Sequence, residues 1–242
     1  MALSSDKEKN LIVQSNEIIE SCYSMPLNEK RLLMLGMSKV DPIAFPLEDE
    51  PLKIDVTATE WAKFCSDSNP YVMLKRVAEG LRGRYVRFKP EAGVIEDANW
   101  LDSIKYHEKE GRISIRFGWT IHKRLMGMLK EFTKTNLLES TALESFHAVR
   151  LYELISQFKG NRLRGWRKIT IDDFRFSMNC QNRYLETKDL KKYVIKKSIK
   201  EINEKTSLFV TVEDIKKGRT ITGFKFVYEV QHKSKNIELA NV

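Results

Sequence analysis

The sequence predicts an α+β fold of two tandem modules, each running helix, strand, helix, helix, hairpin, joined by a linking helix. Three observations predict it. The same order of apolar periodicities occurs twice, about 110 residues apart. Helix-start and turn residues stand between the elements of both copies. The basic charge is concentrated in the second copy, where it is interleaved with apolar residues and so belongs to a folded surface.

In the first copy, Asn28–Val40 carries Leu32, Leu33, Leu35 and Met37 at helical spacing, and Asp41-Pro42 ends it. Leu52, Ile54 and Val56 alternate as a short strand. Thr57 or Thr59 can cap the next helix, which bears Trp61 and Phe64. Asn69-Pro70 starts another, with proline at the first helical position, running to about Leu81. Two alternating runs, Asn99–His107 and Arg112–Phe117, flank the turn Glu108-Lys109-Glu110-Gly111. A linking helix is expected over Thr120–Lys130.

The second copy opens with an amphipathic helix, Leu143–Phe158. Trp166–Thr170 is a short strand, and Thr170 with Asp173 resembles a capping box. A short helix bears Phe174 and Met178. Thr187 is expected to cap a helix from Lys188 to about Lys205. Leu208, Val210 and Val212, then Ile221, Phe224, Phe226, Tyr228 and Val230, form a hairpin with Lys216-Lys217-Gly218-Arg219 at its tip. This order is that of a winged helix, a helix-turn-helix followed by a two-stranded wing. The expected domains are residues 10–130 and 131–232.

The chain has 242 residues and a formal net charge of +9. Residues 1–130 hold 20 Lys/Arg against 19 Asp/Glu, a net +1. Residues 160–220 hold 16 against 8, a net +8. A folded basic face suits a polyanion, most simply nucleic acid; its plain alternative is a surface kept for solubility. No apolar run approaches the ~20 residues of a membrane span, so no membrane partner is expected. Cys22, Cys65 and Cys180 are odd in number and widely spaced, which fits a reducing cytoplasm rather than a disulfide framework.

At 100° per residue, Ile195, Ile199 and Ile202 form a seam flanked by Leu190 and Val194. Tyr193, Lys196, Lys197 and Lys200 fall on the opposite side. Such a helix fits a major groove about 12 Å wide, its lysines meeting phosphates or guanine edges. Lys188 stands at its start. Arg162, Arg164, Arg167 and Lys168 precede the module and can reach flanking backbone; Lys216, Lys217 and Arg219 are placed to touch a phosphate from the wing. In the first copy Lys75, Arg76, Arg82 and Arg84 lie on or just after the equivalent helix and are expected to contribute fewer contacts. Each of these lysines has a bland reading too, an exposed stem over a core.

Signatures of catalysis are missing. There is no phosphate-cradling glycine loop. His107, His122, His147 and His232 are isolated, with no His-x-His or His-Glu-x-x-His pairing. Neither cofactor nor metal is expected, and the chain reads as a non-enzyme.

The sequence resembles the replication initiators of theta-replicating, iteron-containing bacterial plasmids. The resemblance rests on Leu11-Ile-Val-Gln-Ser-Asn16, Asn28-Glu-Lys-Arg-Leu-Leu-Met-Leu35, Val40-Asp-Pro42, Val149-Arg-Leu-Tyr-Glu-Leu-Ile155, Tyr184, Lys192–Asn203 and Lys217-Gly-Arg219. It implies tandem winged helices, the second making the main sequence-specific contact and the first mediating dimerisation with accessory contacts. It implies that monomers bind origin iterons and help open the origin, while homodimers bind an operator inverted repeat and repress the initiator's own gene. Host initiator, replicative helicase and chaperones are the implied partners. On this basis DNA contact is carried onto Lys196, Lys197, Lys200 and Arg219. A transcriptional repressor with the same modules is the alternative. A nicking enzyme for rolling-circle replication is disfavoured by the missing histidine pair.

Overall fold

The computed structural model of the chain describes residues 11–44, 52–64, 68–127, 131–157 and 159–231. Cys65, Phe158, His232 and positions 128–130 of the expected linking helix lie outside these. The described chain opens with β1 (Leu11–Ser15), α1 (Asn16–Glu20), α2 (Leu27–Met37), β2 (Lys53–Thr57), α3 (Ala58–Ala62), α4 (Pro70–Leu81), β3 (Tyr85–Phe88), β4 (Glu96–Asn99), β5 (Leu101–His107), β6 (Arg112–Phe117) and α5 (Trp119–His122). There follow β7 (Phe132–Asn136), α6 (Leu137–Ala142), α7 (Phe146–Ser156), β8 (Arg164–Thr170) and α8 (Ile171–Ser177). Three contiguous segments, Thr187–Asp189, the π-helical Leu190–Ile195 and Lys196–Lys205, are numbered together as α9; β9 (Leu208–Lys217) and β10 (Thr220–Val230) close the chain.

The two halves share one sheet topology. In the first, the antiparallel order is β2-β6-β5; in the second it is β8-β10-β9. Each lone strand thus pairs with the far arm of the hairpin that follows, the sheet of a winged helix. The intervening helices start where their caps require. Thr57 Oγ1 accepts from Glu60 N at 3.1 Å while the Glu60 carboxylate accepts from Thr57 N at 2.9 Å. Asn69 Oδ1 accepts from Val72 N at 3.2 Å, with Pro70 next. Thr170 Oγ1 accepts from Asp173 N at 3.1 Å. Each such cap satisfies an otherwise orphaned backbone donor and contributes about 1 kcal/mol.

Three expectations need correction. Thr187 is not a cap: Glu186 holds that position, without a side-chain bond, and Thr187 lies inside the first turn. Of the expected linking helix, the described part is the single turn of α5, capped at Lys123, and Gly127 takes a left-handed φ of 66°; positions 128–130 lie outside the described residues. β7 then pairs antiparallel with β1, from Leu11↔Asn136 to Ser15↔Phe132. The last helix contains a π-helical segment, in which Lys196 N bonds to Lys191 O, one residue further back than an α-helix allows.

The buried apolar residues of both halves form one continuous core. Trp61, Trp100, Leu32, Leu33, Ile113 and Phe117 are fully buried in the first. In the second, Phe174 meets Phe224 edge-on at 5.5 Å and stacks on Phe226 at 5.8 Å. Where the halves meet, Tyr23 packs edge-on against Phe146 at 5.7 Å, and a buried polar cluster is set into the same core. Arg150 on α7 donates to the carbonyls of Ile19, Ser21 and Ser177 at 2.7, 2.9 and 3.3 Å, and to Glu153 at 2.7 Å. It binds backbone of α1, of the segment after it and of α8, so it sets how the two modules meet.

Candidate nucleic-acid interface

α9 packs by an apolar face made of Leu190, Val194, Ile195 and Ile202, all fully buried. Ile199 is half-buried at the edge of this seam, and Ser198 is buried within it. Tyr193, Lys196, Lys197 and Lys200 all lie on the exposed side, as does Lys192. The π-helical segment precedes Lys196 and leaves this division intact. Lys191 is turned inward and pairs with Asp214 of β9 at 2.6 Å, tying the helix to the wing.

The outward face is an aromatic and cationic cluster. Tyr193 is flanked by Lys192 and Lys197, whose ammonium groups stand 4.9 and 5.5 Å from its ring centroid. Its ring stacks on Tyr184 at 5.9 Å. Lys200 has only a loose pairing with Glu204, at 3.9 Å on an exposed surface. Exposed pairs of this kind contribute little, so the lysines remain available to a polyanion. Lys188 is exposed at the start of the helix.

The wing carries Lys216 and Lys217 at the end of β9, paired with Ile221 and Thr220 across the hairpin. Gly218 makes the turn with φ 62°, a left-handed conformation that suits glycine. Lys216, Lys217 and Arg219 are exposed. α9 packs against β9, the first arm of the wing.

Other expected residues stand apart. Arg164 and Lys168 are exposed on β8, the sheet edge opposite β9; Arg164 pairs with Glu229 at 2.6 Å and Lys168 lies over the Trp166 ring at 5.2 Å. Arg162 is exposed just before that strand. Arg167 is not a backbone-reaching arginine: it is buried, pairs with Glu20 at 3.1 Å and donates to Gln157, so it belongs to the seam between modules. In the first module, Arg76 and Arg82 are exposed. Lys75 pairs with Glu108 at 3.0 Å, and Arg84 makes a bidentate pair with Glu29 at 2.8 and 3.2 Å.

The sequence reading overlooked the turn before α9. Arg175 on α8 donates to the carbonyls of Cys180, Arg183, Tyr184 and Leu185, at 3.1, 3.1, 2.9 and 2.7 Å. Asn179 and Tyr184 adopt left-handed φ values of 51° and 52°. A tyrosine in that region costs about 1 kcal/mol or more and persists only where its surroundings hold it. The one available signal was Tyr184 itself. Among the described residues, no group of three or more His, Cys, Asp or Glu is placed to hold a metal ion, and no helix is long and apolar enough to cross a membrane. Burial pushes the Cys180 thiol up to about 11, away from thiolate chemistry.

The family described as "Initiator Replication protein, WH1" matches residues 11–156, and its companion, "Initiator Rep protein, WH2", matches residues 170–228. The chain belongs to the initiator replication protein family. Its architecture is accordingly two tandem winged-helix domains. A replication initiation protein of Escherichia coli is 24% identical over 227 residues, spanning 91% of this chain and 70% of its own length. The PI protein of Escherichia coli is 26% identical over 263 residues, spanning 92% of this chain and 84% of its own. A crystal structure of Pi initiator protein in complex with iteron DNA superposes with a TM-score of 0.75 at 23% identity, covering 93% of this chain and 99% of that one. That likeness concerns the fold.

Proposed function

We propose that this initiator-family member is a plasmid replication initiator that binds double-stranded DNA sequence-specifically at origin iterons. The observation that carries the reading is the exposed Tyr193, Lys196, Lys197 and Lys200 face of α9, with the wing beside it. In this reading α9 lies in a major groove, Lys216, Lys217 and Arg219 meet an adjacent phosphate, and residues 131–232 make the main contact. Residues 10–130 supply dimerisation and accessory contacts from Arg76 and Arg82. Monomers bind iterons and help open the origin, and homodimers repress the initiator's own gene. Host initiator, helicase and chaperones act with it in the cytoplasm. The Pi initiator, solved on iteron DNA, supports the choice of ligand.

The reading is non-enzymatic. Supercoiled origin DNA with Mg²⁺ should stay closed, and relaxed circles with protein on a 5′ end would overturn it. The main test is a footprint of the purified protein on DNA flanking its own gene, at two salt concentrations. Protection of several same-orientation repeats on one face of the duplex is the expected result. A single protected inverted repeat would point to a repressor instead. Uniform, salt-sensitive coating would leave only a nonspecific basic protein.

A further inference from the structure

The turn between α8 and α9 ends in an apolar tip that the fold does not use. Leu185 is 72% exposed. A leucine on a loose loop would need no explanation, but this turn is held by Arg175 at four successive-neighbourhood carbonyls, Cys180, Arg183, Tyr184 and Leu185. Its backbone passes through left-handed conformations at Asn179 and Tyr184, neither of them glycine. One half-buried arginine thus holds a strained turn that carries an outward leucine.

The tip sits beside the exposed Tyr/Lys face of α9. Tyr184 stacks on Tyr193 of α9 at 5.9 Å, which fixes Leu185 next to that face. The Arg183 guanidinium lies 5.6 Å from the Tyr184 ring centroid, and Lys192 and Lys197 lie over Tyr193. An exposed leucine next in the chain to a tyrosine pair that carries three cations suits a ligand with an apolar edge beside anionic rails. In the major groove that edge is the thymine C5-methyl group, which protein apolar groups read directly, between two phosphate backbones.

We propose that Tyr184 and Leu185 form a second base-reading element beside α9, with Leu185 packing on a thymine methyl and Tyr184 positioning it. The proposal rests on the DNA-binding reading above. It assigns a preference for thymine to a residue outside the helix, and Arg175 is a positioning residue for it.

The test compares two versions of the DNA fragment flanking the protein's own gene, one made with thymidine and one with deoxyuridine, which lacks only the methyl. Affinities of the full chain are measured on both. The wild type should bind the uracil fragment more weakly, by about fourfold for each methyl it covers, the ratio equivalent to about 0.8 kcal/mol. Leu185→Ala should lose about fourfold on the thymine fragment and show a thymine-to-uracil ratio about fourfold smaller than the wild type. Leu185→Met should keep most of both. Melting temperatures of the variants should match the wild type, because the side chain is exposed. A wild type indifferent to the methyl, or a Leu185→Ala variant with the full wild-type ratio, overturns the proposal while DNA binding stands. Failure of the wild type to bind either fragment specifically would instead remove the DNA-binding reading itself.

Discussion

Lys30 Nζ lies 2.7 Å from Glu153 Oε1, and both side chains are closed off from solvent. Lys30 comes from α2 and Glu153 from α7, so one ion pair joins helices 123 positions apart. Arg150, one turn earlier on α7, takes the other carboxylate oxygen at 2.7 Å. Tyr23 Oη accepts from both cations at 2.8 Å, and Gln14 donates to Glu153 at 3.2 Å. Two cations around one carboxylate make that carboxylate the weak point of the seam.

Glu153→Gln should therefore be among the most damaging single substitutions outside the apolar residues of the core. It leaves Lys30 and Arg150 buried with no counter-charge, which costs about 3–5 kcal/mol. The urea midpoint should fall accordingly. A midpoint within experimental scatter of the wild type would mean that water reaches the cluster and screens it.

The same cluster sets a pH dependence. Burial alone would push the Glu153 carboxyl up, but Lys30 and Arg150 outweigh it and hold the group below its ordinary 4.5. A depressed acid contributes stability that is complete above its unfolded value and is lost as pH falls through the folded one. Lys30 works in the opposite direction. Burial pulls it down, yet Glu153 and Tyr23 raise it above 10.5, so its contribution is complete below that value and is lost as pH climbs through the folded one. Urea midpoints at pH 7 and at pH ~3.5 should show an acid loss in the wild type that is smaller in Glu153→Gln. An equal acid loss in both proteins would assign the effect to other carboxylates.

On the DNA side, Lys196→Ala combined with Lys200→Ala should weaken binding without altering the melting temperature, since both side chains are exposed. Each phosphate contact removed should lower the slope of log affinity against log salt by roughly 0.9, so the pair should lower it by up to about 2. An unchanged slope with weaker binding would place these lysines on bases rather than phosphates. A drop in melting temperature would make them structural.

The repeated order of elements was legible because it rests on local chemistry. Thr57 with Glu60 and Asn69 with Pro70 are short-range signals that work in the structure as their spacing implies, whereas Thr170 caps Asp173 N but the Asp173 carboxylate meets the Thr170 hydroxyl, so the expected capping box is only half formed. β1 and β7 were not read as a pair, because the partner of Leu11 is Asn136 and no local pattern records a contact over that distance. The β3–β4 hairpin escaped notice for another reason: Glu96-Asp-Ala-Asn99 has none of the apolar alternation that marks a strand. Lys30 and Arg150 were invisible as buried groups, since a charged residue in a helix is ordinarily at the surface. For the interface, the Lys/Tyr face followed from helical phase alone. The Arg175 clamp did not, because its acceptors are backbone carbonyls, which carry no sequence signature.

The orientation of that face depends on the isoleucine seam, and the seam can be tested residue by residue. Ile195 is fully buried, whereas Ile199 is half-buried at the margin. A carboxylate at 195 enters a fully buried position and must either be desolvated or protonate, at a cost large enough to unfold the module. At 199 the same carboxylate can turn toward solvent. Ile195→Asp should thus abolish cooperative melting of the second module, while Ile199→Asp should fold with a lowered midpoint. Ile195→Val, which removes one methylene, should cost only about 0.5–1.5 kcal/mol. The ordering of the two aspartates is the decisive comparison. If Ile199→Asp were the more severe, α9 would be rotated about its axis from the arrangement described. Lys196 and Lys200 would then turn away from the side that carries Tyr193, and the reading face would have to be redrawn.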